Sequence, residues 1–279
     1  MSEIRRPIIF SLDLDQTTHG IEDQVLKYQE LLPPQYLAGA QKEIDAWIQA
    51  EKDLTAGRSR RTFTKKETSS PSEVKGVYFL GNKDLFIPDS DFQPVRDQIR
   101  NDTRLLVDAK MIPGANSGVK TLIGESPFGG YRTVRPDKPK VLAVTKEKLR
   151  KDEFPYPEKV TIYDDPEAKL LSILKEASQN SGLYVLVDDG LKGIADAAEK
   201  FANGPLQDVL RKQFVLAAFG VHPSEMAELQ DVVGGRIYGS SGVQTKTLES
   251  GLTVATLPSW STENVSGIIE YMNQRSSQR

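Results

Sequence analysis

The chain contains no cysteine among its 279 residues, which removes disulfide frameworks, thiolate metal centres and cysteine nucleophiles and suits a reducing compartment. It also lacks a charge excess. Lysine and arginine number 36 against 39 acidic residues, a formal net charge of −3, so no global field recruits nucleic acid or an anionic membrane. Long hydrophobic runs are missing too, since no apolar stretch approaches the ~20 residues of a membrane span. Arg5 and Arg6 precede an apolar run in the manner of a secretory leader, but Asp13 ends that run short of the roughly 7–15 apolar residues a leader needs. The expectation is a cytoplasmic protein with no membrane or nucleic-acid partner.

What is present is ordinary globular composition, 38% apolar and 27% charged, in a chain long enough for one large domain or two of average size. Residues 8–12 read as a buried strand, and 20–54 as two helical pieces divided by Pro33-Pro34. A polar, basic loop over 55–75 follows, with strands at 77–80 and in the segment after it, and a helix over 91–101. Short strands are expected at 105–107, 141–144, 160–163 and 183–187, and turns or hairpins through the Gly- and Pro-rich 112–140. Helices are expected over 166–179, 192–201, 224–230 and 262–272, with strands at 214–219, 235–238 and 252–257. Strands alternating with helices indicate an α/β fold with a largely parallel sheet.

The first strand ends in "SLDLDQT" (11–17). Functional residues in open α/β sheets gather beyond the carboxyl ends of strands, and alternation along an extended chain points Asp13 and Asp15 the same way while Leu14 turns inward. Two convergent carboxylates repel unless a cation or a shared proton compensates. Mg²⁺ is the natural compensator, being a hard ion that needs few carboxylates when phosphate oxygens complete its shell. One carboxylate can then attack phosphorus while the other serves as general acid and base.

This stretch resembles the first motif of the haloacid dehalogenase superfamily of phosphatases, a hydrophobic strand followed by D-x-D-G-T, with Gln16 in place of the glycine. The resemblance implies Asp13 as nucleophile, Asp15 as general acid/base, and Mg²⁺ held by the Asp13 carboxylate and the Asp15 main-chain carbonyl. Members with a large α/β cap, such as the sucrose-phosphate and mannosyl-3-phosphoglycerate phosphatases, carry T-G-R-S some forty residues on; "LTAGRS" (54–59) is similar and points to Thr55 as a phosphate-binding hydroxyl. "LYVLVDDGLKGIADAAEKF" (183–201) is similar to the family's third motif and points to Lys192 as the charge-neutralising ammonium. "FVLAAFGVHPSEMAEL" (214–229) is similar to the fourth, with Val221 where its first aspartate belongs and Glu225 as the remaining metal ligand. Asp188-Asp189 and Asp164-Asp165 offer alternative registers for that acidic motif.

The resemblance implies a Rossmann-like core of 1–85 and 186–279 with an inserted α/β cap over 86–185. It implies a Mg²⁺-dependent phosphomonoesterase acting on a small phosphorylated metabolite, most plausibly a sugar phosphate. Two other classes stay open: a non-catalytic relative that binds a phosphorylated ligand or a partner protein, suggested by Val221 and by the departures of "LTAGRS" from the second motif, and a glycosyltransferase using Asp13-Leu14-Asp15 as a metal-nucleotide motif. Other features carry less. "GANSGVKT" (114–121) departs from P-loop spacing and reads as a Gly-rich turn, "RSRRTFTKK" (58–66) as a solvated basic loop, and His222 as a polar loop residue.

Overall fold

The computed structural model describes residues 6–56, 66–69, 75–79, 82–124, 126–221, 232–238 and 243–277. The first strand, β1 (Ile8–Leu12), is followed by α1 (Glu22–Leu31) and α2 (Pro34–Thr55), with Pro34 opening the second helix where its missing N–H costs nothing. Then come β2 (Lys66–Ser69), β3 (Lys75–Phe79) and β4 (Asn82–Pro88), an antiparallel three-stranded sheet, and the helices α3 (Asp89–Asn101), α4 (Thr103–Asp108) and α5 (Ala115–Ile123). The chain continues as β5 (Phe128–Val134), α6 (Pro139–Lys151), β6 (Val160–Tyr163), α7 (Pro166–Ser178), β7 (Leu183–Asp188), α8 (Leu191–Phe201), α9 (Gln207–Gln213) and β8 (Phe214–Phe219). It closes with β9 (Val232–Tyr238), β10 (Val243–Leu248), β11 (Thr253–Leu257) and α10 (Thr262–Ser276).

The large sheet runs β6-β5-β1-β7-β8-β11-β10-β9. Its first six strands are parallel, and β10 and β9 add an antiparallel edge. In chain order those six parallel strands stand 3-2-1-4-5-6, the doubly wound arrangement in which strand order reverses between the first and fourth strands. The reversal here lies between β1 and β7. Burial explains the strand sequences. Along β7, Leu183, Val185 and Val187 enter the apolar layer under α5 and α10, while Tyr184 and Leu186 enter the opposite layer under α7, α8 and α9. A strand covered on both faces must be apolar at every position, which is why "LYVLV" has no polar alternation.

The expected division into 1–85 with 186–279 and 86–185 does not coincide with the sheets. β5 and β6 come from inside 86–185 yet hydrogen-bond in the large sheet next to β1. The segment between β1 and β5 instead contributes a third apolar cluster of Val25, Leu32, Ala40, Ile44, Ile87 and Phe92, carried by α1, α2, the turn between them, β4 and α3. Residues 105–107 and 141–144 are helical in α4 and α6 rather than strands; an Asp102 carboxylate accepting from the Arg104 N–H nucleates the first, and Pro139 opens the second. "GANSGVKT" is not a turn throughout. Gly114 takes φ +78° just before α5, and Gly118 lies in that helix against the Trp260 ring, where a Cβ would come within 2.6 Å of it. The expected helix at 224–230 lies outside the described residues.

Candidate active site

The loop leaving β1 is shaped by its own backbone. Leu14 stays in the core at 1% exposure, and its carbonyl accepts the N–H groups of Thr17, Thr18 and His19. Gln16, whose N–H donates to the His19 carbonyl, sits at φ +56°, a left-handed conformation that favours glycine. A residue with a Cβ is thus held in a conformation that favours glycine, at the position where the D-x-D-G-T motif that this stretch resembles has one. Trp260 holds the loop from behind, its indole N–H donating to the Thr17 carbonyl at 2.7 Å. Asp13 is anchored to the next strand, its N–H donating to the Val187 carbonyl at 2.8 Å.

At the strand reversal, β1 delivers Asp13 and β7 delivers Asp188 and Asp189. Ligand oxygens from these three carboxylates lie within 4.8 Å of one another. Lys169, from the first turn of α7, enters from the side: its Nζ donates to Asp13 Oδ1 at 2.9 Å and stands 2.6 Å from Asp188 Oδ2. Asp188 Oδ1 accepts the Gly190 N–H. These groups line a cavity of about 180 Å³ together with Asp15, Gln16 and Thr133. The Thr133 hydroxyl, near the end of β5, is fully buried and has no hydrogen-bond partner among the described residues, a costly arrangement unless something else fills the cavity.

The three carboxylates could hold a metal ion. Burial raises the Asp13 carboxyl well above its ordinary range; Lys169 opposes this, while Asp188, Asp189 and Asp15 reinforce it. Burial works against the Lys169 ammonium, but attraction to Asp13 and Asp188 outweighs it and keeps the group charged. The raised Asp13 carboxyl calls for either a proton or a further cation, and an all-oxygen donor set suits a hard divalent ion such as Mg²⁺. Asp15 is balanced separately. Arg135 grips it with two bonds, Nε to Oδ2 at 3.0 Å and Nη2 to Oδ1 at 2.6 Å, and is itself braced through Nη1 on Thr145. Burial penalises the Asp15 charge, yet Arg135 overrides it and holds the carboxyl below its usual range.

Of the other expected site residues, Lys192 is the one whose side chain is described, and it does not join this cluster. Lys192 lies on the outer side of α8, opposite the buried Leu191, Ile194 and Ala198, and pairs with Asp196 at 2.7 Å in solvent. Thr55 is the last residue of α2, and its side chain is not among those described. Glu225 and His222 lie outside the described residues, while Val221 is buried in the apolar layer beneath α8 and α9. Of the two alternative acidic registers, Asp188-Asp189 reaches Asp13. Asp164 and Asp165 are exposed, and Asp165 caps α7 by accepting from the Ala168 N–H.

Lys169, Thr133 and Arg135 were not legible as site residues. Lys169 carried a signal, since it shares the buried period of α7 with Ile173 and Ala177, where an unpaired lysine is otherwise excluded. Thr133 and Arg135 were hidden because the Gly-rich "FGGYRTVR" did not read as a strand.

Neither a protein-family model nor a curated protein matches this chain. Among solved structures it is similar to one described as a haloacid dehalogenase-like hydrolase, from Burkholderia xenovorans LB400, at 18% identity over 80% of this chain and 91% of that one, with a TM-score of 0.40. A haloacid dehalogenase-like family hydrolase from Xanthomonas campestris is similar at 12% identity over 99% and 100% of the two chains, TM-score 0.40. A third such hydrolase, from Deinococcus radiodurans R1 with phosphate and sodium bound, is similar at 14% identity over 82% and 90%, TM-score 0.39.

Proposed function

We propose that the chain is a Mg²⁺-dependent phosphomonoesterase that works through an aspartyl-phosphate on Asp13. The observation that carries this reading is the convergence of Asp13, Lys169, Asp188 and Asp189 with the unpartnered Thr133 hydroxyl around one small cavity at the strand reversal. The metal would be held by Asp13, Asp188 and Asp189 and would offset the charge of the phosphoryl group beside the nucleophile. The chain's own residues do the rest. An Asp13 oxygen attacks phosphorus and the bond from phosphorus to the leaving oxygen breaks; Asp15 can supply the proton that the leaving oxygen needs only when protonated and released from Arg135, which in this arrangement engages both of its oxygens and keeps it ionised. Asp15 then removes a proton from the water that hydrolyses the aspartyl-phosphate, which restores Asp13 and frees phosphate. Lys169 holds Asp13 in place and neutralises oxyanion charge, and Thr133 donates to a phosphoryl oxygen.

In this reading Lys169 takes the role expected of Lys192, Asp188 and Asp189 that of Glu225, and Thr133 that of Thr55. Residues between β1 and β5 form the cap, and the cavity of about 180 Å³ suits a phosphoryl group with its metal, leaving the alcohol half against that cap. A small phosphorylated metabolite such as a sugar phosphate fits these dimensions. The case for a non-catalytic relative rested on Val221, which packs in the core, and on the departures in "LTAGRS", of which residues 57–59 lie outside the described residues.

The test is phosphate release from a panel of phosphate monoesters with and without Mg²⁺, comparing the native chain with Asp13→Asn. Metal-dependent release that falls at least about 10³-fold in the variant is expected. Absence of release from every monoester, or release that survives the substitution, would overturn the reading.

A further inference from the structure

Arg100 stands in the last turn of α3, where a cation ordinarily complements the helix dipole. Its guanidinium does something else. Nη2 reaches out of the inserted segment to donate to the Val134 carbonyl at 3.2 Å, and Val134 lines the acidic cavity between Thr133 and Arg135. The side chain is half-buried. Among the described residues this is its one hydrogen bond, and it forms no ion pair with a carboxylate. A guanidinium offers five N–H donors, so most of its capacity is unused at a point one residue behind the cavity wall, which Val134 lines and Arg100 does not.

Burial first, and then the Arg96 charge one turn earlier on α3, lower the Arg100 basicity, while Tyr28, Asp15 and Asp97 draw it the other way. Asp15, the nearby acid on the cavity side, is already gripped by Arg135. A partly desolvated cation with few fixed partners is costly unless an anion is bound there for part of the time.

We propose that Arg100 binds a second anionic group on the leaving portion of the substrate, which is therefore a phosphate monoester whose alcohol half carries a carboxylate or another phosphate. The inference rests on the phosphomonoesterase reading for its first half, because the cavity must hold the phosphoryl group for Arg100 to meet the rest. It adds a recognition rule that the site residues alone do not contain. The acidic cluster selects the transferred group and Arg100 selects what is attached to it. Charge-assisted hydrogen bonds of this kind discriminate by about 10- to 100-fold.

The experiment compares carboxyethyl phosphate and propanediol bisphosphate with propyl phosphate, which has a similar shape and no second anion. In the native protein KM for the two compounds with a second anionic group should lie about 10-fold or more below that for propyl phosphate. Arg100→Met should collapse that ratio toward one by raising KM for those two compounds with little change in kcat, and Arg100→Lys should restore part of it. The same compounds are titrated calorimetrically against Asp13→Asn and Asp13→Asn with Arg100→Met, so that binding is read without turnover. Equal KM for propyl phosphate and for the esters with a second anionic group in the native protein, or an Arg100→Met loss shared equally by all three, would overturn the proposal. Tight binding of the esters with a second anionic group that depends on Arg100, with no hydrolysis of any, would uphold the anion site and overturn only the phosphatase reading. A preference between the carboxylate and the bisphosphate tells which second anion the site takes.

Discussion

Lys169 and Lys192 show how a residue's identity misleads without its environment. Both lie in the first turn of a helix that follows a strand of the large sheet, yet one is 3% exposed between two carboxylates and the other is in solvent. Lys169→Met should leave Asp13, Asp188 and Asp189 uncompensated, a loss of about 3–5 kcal/mol for breaking a buried ionic group. A divalent ion substitutes for the missing positive charge, so thermal melts of this variant should recover much of that loss on adding Mg²⁺, and by more than the native protein gains. Lys192→Ala should stay within about 0.5 kcal/mol of the native chain and keep its phosphate release. Gln16 supplies a second residue-scale check. Its φ of +56° costs of order 1 kcal/mol for a side chain with a Cβ, so Gln16→Gly should melt at an equal or higher temperature, whereas Gln16→Val should destabilise.

The elements were legible where burial wrote a clear pattern and obscure where it did not. β1, β7 and β8 are covered on both faces, and their unbroken apolar runs could be read directly. β5 could not, because Gly129 and Gly130 lie where a Cβ would meet Ser11 Oγ at 2.5 Å and the Lys159 carbonyl at 2.8 Å; glycines demanded by close backbone approach look like a turn in the sequence. With β5 missed, the second strand of the parallel series vanished, and Thr133, Arg135 and the placement of the inserted segment went with it. α5 was obscured in the same way. Gly118 is small because Trp260 packs on it, and Trp260 in turn holds the Thr17 carbonyl. Gly118→Ala should therefore push the indole off its bond, costing about 1–3 kcal/mol through overpacking. Because the displaced indole loosens the loop bearing Asp13 and Asp15, phosphate release should fall in parallel, which activity measured well below the melting temperature would separate from simple unfolding.

At the scale of the whole molecule, the loop after β1 is tied to the rest of the fold by a buried histidine. His19 Nε2 lies 2.8 Å from Asp152 at the end of α6, and Nδ1 faces the Thr18 hydroxyl at 2.9 Å. Burial lowers the His19 pKa below its ordinary 6.5, Asp152 resists this, and Lys148 and Arg135 add to the lowering. The imidazole is therefore neutral near pH 7, and the contact is a hydrogen bond from Nε2–H to a carboxylate. The sign of the pH effect follows from linkage. Below about pH 6.5 the unfolded chain takes up a proton at this position while the folded chain does not, so stability falls as pH drops, by at most about 1.4 kcal/mol per pH unit. Asp152 acts in the same direction further down: burial would raise its pKa, but the bonds from His19 and Lys148 hold it below 3.8, so its contribution is present above that value and lost as pH falls through the lowered one. Denaturant melts between pH 7.5 and about 5 should show the first decline in the native protein. His19→Gln keeps a donor for Asp152 without a titrating group, and its curve should be flat over that window while lying below the native one at pH 7. An unchanged slope in the variant would place the acid sensitivity elsewhere, and the carboxylate cluster around Lys169, whose balance changes with bound metal, would be the group to titrate next in the presence and absence of Mg²⁺.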